Sequence, residues 1–313
     1  MRSAHRTRRQ PPHGQADPAH RRAPPPLNQP SMGHLQAPDG RQQHVDTTEP
    51  RTAGGLADRF DDVDASGAPE DFVTYLRKTE RSEGGRIVRE ATYRALGTTG
   101  GKGADIGCGA GRAVADLVRL GRDAVGVDSS QAMVDAALAR FPHCRIVQGS
   151  AFDLPFGDGE LSWYRSERTF LHFDAPAGAL SEARRVLRPG GTIVLADPDL
   201  DSLVLSSRFP RTTAAVKDAF CSTVPNPHAG TRSAYHLADA GFTGIEVVPV
   251  LVTMKDHASA CDLVLEPALT AALARGAVSE GAAALWKDDL GHISRRNVFT
   301  ATATFFITTA RRR

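Results

Sequence analysis

Between residues 104 and 196, five short apolar runs alternate with segments of helical character. The runs are Ala104–Ile106, Ala124–Asp128, Cys144–Gln148, Leu161–Tyr164 and Thr192–Ala196; the helical segments include Arg112–Leu120, Ser130–Arg140 and Gly178–Leu187. Strands separated by helical crossovers lie parallel in one sheet, because a tight hairpin cannot carry the chain back to the end it started from. Such crossovers are right-handed in nearly all cases, so the spacing predicts an α/β, doubly wound sheet with helices on both faces. Ligands of these sheets sit beyond the carboxyl ends of the strands, where strand order reverses. The glycine loop after the first strand, Asp128, Ser150, the stretch after Tyr164 and Asp197 all fall on that edge.

Outside this region the pattern changes. Residues 71–80 and 85–96 carry apolar side chains at helical spacing, and Gly97 with the glycines of 100–103 stops the second helix. Residues 202–221 and 256–290 read as amphipathic helices, whereas Gly244–Met254 and Val298–Thr308 read as a closing pair of strands.

The loop 104–112 reads ADIGCGAGR. A dinucleotide fingerprint, GxGxxG, requires a third glycine where Arg112 stands, and no Gly-Lys-Ser/Thr follows to make a phosphate loop. Asp105, two residues before the first glycine, would repel a pyrophosphate but attract a cationic amino group. The loop therefore points away from phosphate, and an NAD-dependent oxidoreductase becomes the weakest reading.

The DIGCGAGR segment resembles motif I of the class I S-adenosylmethionine-dependent methyltransferases, and matching pieces follow in order over residues 85–200. AVGVDSSQAMV is similar to the family's second-strand segment, which ends in the acid that holds the ribose hydroxyls, here Asp128. A carboxylate suits a vicinal diol because its two oxygens accept two hydrogen bonds side by side. VQGSAFDLPF looks like the family's Gly-Asp-Ala…Leu-Pro-Phe stretch, with Ser150 where an acid normally meets the adenine amino group. The acid the family often carries before the fourth strand is Ser162 here. ALSEARRVLRPGG, in which Pro189 and Gly190–Gly191 turn the chain into the fifth strand, completes the match.

The resemblance implies a mostly parallel seven-stranded sheet, the Rossmann-like methyltransferase fold, with a helical lid from insertions near 200–240 and 255–292. It implies S-adenosyl-L-methionine as cofactor, contacted by Asp105, Gly107, Gly109, Gly111, Asp128, Ser129, Met133, Ser150, Ala151, Phe152 and Arg165. In YRSERTF, residues 164–170, Arg165, Glu167 and Arg168 fall beside the expected methyl donor; the backbone there would touch its methionine part, and the side chains serve as substrate contacts or as a salt-bridged loop. His172 occupies the position of a histidine in one variant of the family, as a catalytic base or a packing residue. Asp197, on the same edge, would orient it.

Several function classes fall away. The Pro-Pro-aromatic tetrapeptide of adenine- and glutamine-modifying enzymes is absent after Tyr164, and so is the Pro-Cys of cytosine-C5 enzymes. With a formal charge of only +2, nucleic acid is a poor substrate. No run reaches the ~18–20 apolar residues that span a bilayer. Cys108, Cys144, Cys221 and Cys261 stand apart and make neither a zinc site nor a disulfide framework, which suits a cytoplasmic protein. Residues 1–50 hold 9 of 20 prolines and 5 of 11 histidines and no aromatic residue, so residues 1–55 are expected to be a disordered extension before a domain over 56–313. The expectation is O-, N- or C-methylation of a small organic molecule in bacterial specialised metabolism. A non-methylating cyclase or isomerase on the same fold is the rival, and oligomeric state is left open.

Overall fold

The computed structural model describes residues 63–66 and 68–313; the extension expected over 1–55 lies outside them. The chain forms α1 (Pro69–Arg81), α2 (Glu83–Ala95), β1 (Gly103–Ile106), α3 (Arg112–Arg119), β2 (Ala124–Asp128), α4 (Gln131–Arg140), β3 (Arg145–Gln148) and β4 (Leu161–Glu167). A 3-10 turn (Phe170–His172), α5 (Ala177–Val186), β5 (Leu187–Leu205), α6 (Pro210–Cys221), α7 (Ala229–Asp239) and β6 (Phe242–Met254) follow. The chain closes with α8 (His257–Ala260), a π-helical turn (Cys261–Leu265), α9 (Glu266–Ala274), α10 (Glu280–Arg295) and β7 (Ala301–Arg312).

The seven strands lie in one sheet in the order β3-β2-β1-β4-β5-β7-β6. The pairs among β1 to β5 are parallel, and β7 runs antiparallel between β5 and β6. Winding proceeds outward from β1 through β2 to β3, then reverses and proceeds from β4 outward. The carboxyl ends of β1 and β4 therefore flank the reversal, where a crevice opens.

Parallel central strands are covered on both faces, and β1 is buried at all four positions. One face packs Val88 of α2, Leu117 of α3 and Ala137 of α4 over Trp163 and Val194. The other packs Leu180 of α5 and Leu237 of α7 over Tyr164, Ile193 and Leu195. Gly103 shows how tightly the centre is filled. It pairs with Trp163 in register, and a Cβ there would lie 2.0 Å from the indole.

One sequence reading needs correction. Residues 202–205, expected to be helical, instead extend β5, and the helix begins only at Pro210. The cause is tertiary: after a register shift between Asp199 and Val204, residues 204 and 205 pair with Thr302 and Ala301 of β7. Pairing partners of this kind override local helical propensity. Residues 256–290 are helical as expected, divided into α8, the π turn, α9 and the start of α10.

The helices after β5 divide between two tasks. α7 lies on the sheet, with Gly230 so close that a Cβ would meet Asp197 O at 2.5 Å and the Phe306 ring at 2.9 Å. Helices α6, α9 and α10 build a cluster of their own around Val216, Leu269, Trp286, Leu290 and Phe299. The Trp286 indole donates to Thr213 Oγ1 at 2.9 Å, which ties α10 to α6.

Replacing Gly103 with Ala forces a methyl group into a rigid indole buried in the core. The expected loss is about 1–3 kcal/mol of unfolding free energy, read by urea denaturation. A variant as stable as the parent would show that the β1–β4 contact is looser than described.

Candidate functional site

The site begins with the loop that leaves β1. Gly107, Gly109 and Gly111 all have positive φ, at 70°, 50° and 78°, a region in which only glycine is unstrained. The path serves two different ends. At Gly107 and Gly109 the backbone lines a cavity, whereas Gly111 is the N-cap of α3 and packs into the protein. A Cβ on Gly111 would meet Ile146 at 2.8 Å and Ala137 at 2.9 Å.

Asp128, at the end of β2, fixes this loop. Its Oδ2 accepts from the Gly109 backbone N–H at 2.7 Å and its Oδ1 from that of Ser130 at 3.1 Å. Burial pushes the carboxyl up from its usual range, against the pull of those two N–H groups. A carboxylate offers about four acceptor sites, so two backbone bonds leave it able to accept from a diol. Ser130 caps α4, its Oγ accepting from Met133 N at 3.2 Å, and this sets the Met133 side chain against the cavity.

Asp105 lines the same cavity, yet one of its oxygens is engaged from within the protein. Arg165, fully buried on β4, donates to Asp105 Oδ1, to Glu167 Oε2 and, at 2.7 Å, to Thr92 Oγ1. Burial opposes the guanidinium charge, but the Asp105 and Glu167 carboxylates outweigh it and hold Arg165 protonated. The carboxylate expected to face a ligand's ammonium is thus shared with Arg165.

At the β3 end, the Ser150 hydroxyl accepts from Phe152 N at 3.1 Å and shapes the turn. Ala151 is buried, and Phe152 is half exposed with its ring set edge-on to Phe173 at 4.9 Å. Beyond β4, His172 ends the 3-10 turn and lines the cavity. Asp197 does not line it. Wholly buried, it accepts from the backbone N–H of Leu171 at 3.2 Å through Oδ1, while Oδ2 makes no hydrogen bond. Asp197 thereby braces the backbone of the turn that carries His172. Burial pushes its carboxyl up to about 7.

These residues surround one cavity of about 900 Å³. Ser129, Ser150, Ala151, Phe152 and Arg165 line it along with Asp105, Gly107, Gly109, Asp128 and Met133; Gly111 and Asp197 do not. α1 roofs it, with Tyr75 Oη donating to Leu263 O at 3.1 Å and Lys78 paired with Asp262 at 2.9 Å. The wall away from the glycine loop is apolar, formed by Leu200, Leu203, Phe220, Val224, Val264 and Phe305.

Sequence reading missed part of this enclosure. Val63, buried, lines the cavity, and Asp64 clamps it by accepting from Ser130 Oγ, Gln131 N and Ala132 N at 2.6, 2.8 and 3.1 Å. Those bonds, the Ser130 hydroxyl first, hold the Asp64 carboxyl below its usual range. No local signal marks Asp64, because its partners lie 66 to 68 residues away. Leu203 and Phe305 went unassigned because their place depends on the β5–β7 register.

Comparison with known proteins agrees with this fold. Residues 104–195 match the model of a methyltransferase domain family. A 37.1 kDa protein of a Streptomyces fradiae transposon is 33% identical over 273 residues, which cover 83% of this chain and 76% of that one. A demethylmenaquinone methyltransferase of Beutenbergia cavernae is 37% identical over 113 residues, 36% of this chain but only 47% of the relative. The solved structure of phosphoethanolamine N-methyltransferase 2 of Haemonchus contortus, with S-adenosylhomocysteine, superposes over 82% of this chain and 60% of that one. Its TM-score is 0.52 at 18% identity, a likeness of fold alone. Among the described residues, no helix is long and apolar enough to cross a membrane.

The raised Asp197 pKa has a sign that can be checked. The folded protein keeps a proton on Asp197 up to about pH 7, whereas an unfolded chain releases it near the ordinary value of about 4. Stability therefore falls as pH rises through that window and levels off above it. Asp197→Asn, which still accepts from Leu171, should remove a slope worth on the order of 2–4 kcal/mol between pH 4 and 7. Urea denaturation at several pH values measures it, and an unchanged slope would place the buried proton elsewhere.

Proposed function

Because this chain belongs to the class I S-adenosylmethionine-dependent methyltransferases, we propose that it methylates a small organic acceptor held against the apolar wall of the cavity. The observation that carries this reading is the division of that cavity. The glycine loop and Asp128 line one side, and Leu200, Leu203, Phe220, Val264 and Phe305 line the other. Apolar pockets with a few placed polar groups suit small organic molecules.

The residues present fit the cofactor. Gly107 and Gly109 leave a bare backbone where a Cβ would be strained, at φ of 70° and 50°. Asp128 keeps acceptor capacity for ribose hydroxyls beyond its two backbone bonds. Met133, Ala151 and Phe152 supply apolar surface for the adenine, with Ser150 and Ser129 beside them. When bound, the cofactor supplies an activated methyl group on a sulfonium, so the protein needs chiefly to align the acceptor with it.

Alignment falls to the rigid frame. β5 and β7 extend past the sheet as a paired wall, α6 closes its outer side, and α1 is pinned to the π turn above. His172 is the residue assigned to take a proton from the acceptor, and Asp197 steadies the turn beneath it through Leu171 N. Closing the cavity from Val63 and α1 excludes water from the reacting atoms.

The alanine-, arginine-, glycine- and aspartate-rich composition of a GC-rich bacterial genome supports a place in specialised metabolism. The direct test is transfer of a labelled methyl group from S-adenosylmethionine to a panel of phenols, quinols, enols and amines. Label in an organic-soluble product supports the reading; cofactor binding without transfer to any class would count against it. In the same assay His172→Ala should lower kcat about 10²–10⁴-fold, with S-adenosylhomocysteine affinity unchanged. Unaltered turnover would remove the base role.

A further inference from the structure

Among the described residues, the cavity lining reaches the surface in two places. Beside the end of β3, Ser129, Phe152, Asp174 and Ala175 line the cavity and are exposed. Near the end of β6, Glu83, Lys255, Asp256 and Ser259 line it and are exposed. β3 and β6 are the two edges of the sheet, six strand steps apart, or about 29 Å at the usual strand spacing.

The mouth near β6 has a fixed frame. On one side Lys78 of α1 pairs with Asp262 of the π turn at 2.9 Å. On the other, Gly84 of α2 lies so close to β6 that a Cβ would come within 2.4 Å of Val252 Cγ1. Between those contacts the α1–α2 corner supplies one lip with Glu83, and the β6–α8 corner supplies the other with Lys255, Asp256 and Ser259. Asp256 caps α8, accepting from Ser259 N at 3.0 Å, which holds the second lip in place. Met254 and, on the paired strand, Ala303 and Phe305 carry the lining on to the apolar wall. Between the two mouths α1 covers the cavity, pinned by Tyr75 Oη on Leu263 O.

The chemistry distinguishes the two openings. Methyl transfer from a sulfonium is an in-line displacement, so the acceptor atom must reach the methyl carbon from the side opposite the sulfur. A cofactor laid from Asp128 on β2 across β1 leaves its free side toward β5, β7 and β6. A molecule arriving from the β6 edge meets that side directly. One arriving from the β3 edge would have to pass the bound cofactor.

Resting on the methyl transfer proposed for this cavity, we infer that the acceptor enters, and its product leaves, through the mouth between the α1–α2 corner and α8. The cofactor exchanges through the mouth beside Phe152. Glu83, Lys255 and Ser259 gate the acceptor, and polar lips ahead of an apolar wall admit a molecule that goes in apolar end first. Each ligand exchanges while the other stays bound.

Entry can be followed with 2-naphthol, a fluorescent phenol, by stopped flow, and with tritiated S-adenosylhomocysteine by rapid filtration. In the parent, saturating S-adenosylhomocysteine should leave the 2-naphthol association rate within about threefold of that of the free protein. Ser259→Trp should slow 2-naphthol entry and release together, about tenfold, with its affinity and the S-adenosylhomocysteine rates kept, because a gate changes both rates alike. Ala175→Trp should do the reverse. Lys255→Trp, on the same lip, should repeat the Ser259→Trp result, which separates a narrowed mouth from a disturbed helix. Exclusion of 2-naphthol by bound S-adenosylhomocysteine, or slowing of both ligands by every variant, would mean one shared mouth and overturn the inference. Unchanged rates in all three variants would overturn it as well. A parent that binds S-adenosylhomocysteine but not 2-naphthol would overturn the acceptor reading, and one that binds neither would overturn the cofactor reading; the inference falls with either.

Discussion

Arg165 is a guanidinium placed in the middle of a parallel sheet, where a charge without partners could not be kept. Asp105 on β1, Glu167 at the end of β4 and Thr92 on α2 supply those partners. Removing one member of such a buried set leaves an uncompensated charge and typically costs about 3–5 kcal/mol. The network thus does more than fill space. It locks α2, β1 and β4 together under the crevice, fixes the carboxylates that face it and sets the height of the glycine loop.

From that floor the rest of the site follows by topology. Asp128 reaches across from β2 to hold Gly109, so the loop is tied on both sides: to β4 through Asp105 and Arg165, and to β2 through Asp128. Asp197 braces the turn after β4 from the neighbouring strand. The long β5–β7 pair then extends the sheet outward as an apolar wall. Polar anchors therefore collect at the centre of the sheet, and apolar surface collects toward the antiparallel edge.

Much of this was legible in the sequence because it is local. The glycines at 107, 109 and 111 mark a backbone without side chains and permit the left-handed path it takes, and β2 was bounded correctly by its apolar run and its terminal aspartate. Ser130 reads as an N-cap because its partner is three residues away. What was not legible depends on distant partners. The helical periodicity of 202–205 gives way to pairing with β7, a hundred residues on. Asp105 reads as a free carboxylate until Arg165, sixty residues later, is placed against it. Glu167 and Arg168 pair with each other at 2.8 Å, the salt-bridged arrangement that was one of the two readings their sequence left open.

The central claim is that the crevice between β1 and β4 holds S-adenosylmethionine through Asp128, and that a dinucleotide does not take its place. Calorimetric titration of S-adenosylhomocysteine and of NADH into the parent protein and into Asp128→Asn tests that claim most directly. The account predicts one S-adenosylhomocysteine site per chain, no heat from NADH, and affinity lowered about tenfold or more in a variant that remains folded. NADH binding, or an Asp128→Asn protein that holds S-adenosylhomocysteine as tightly as its parent, would contradict it.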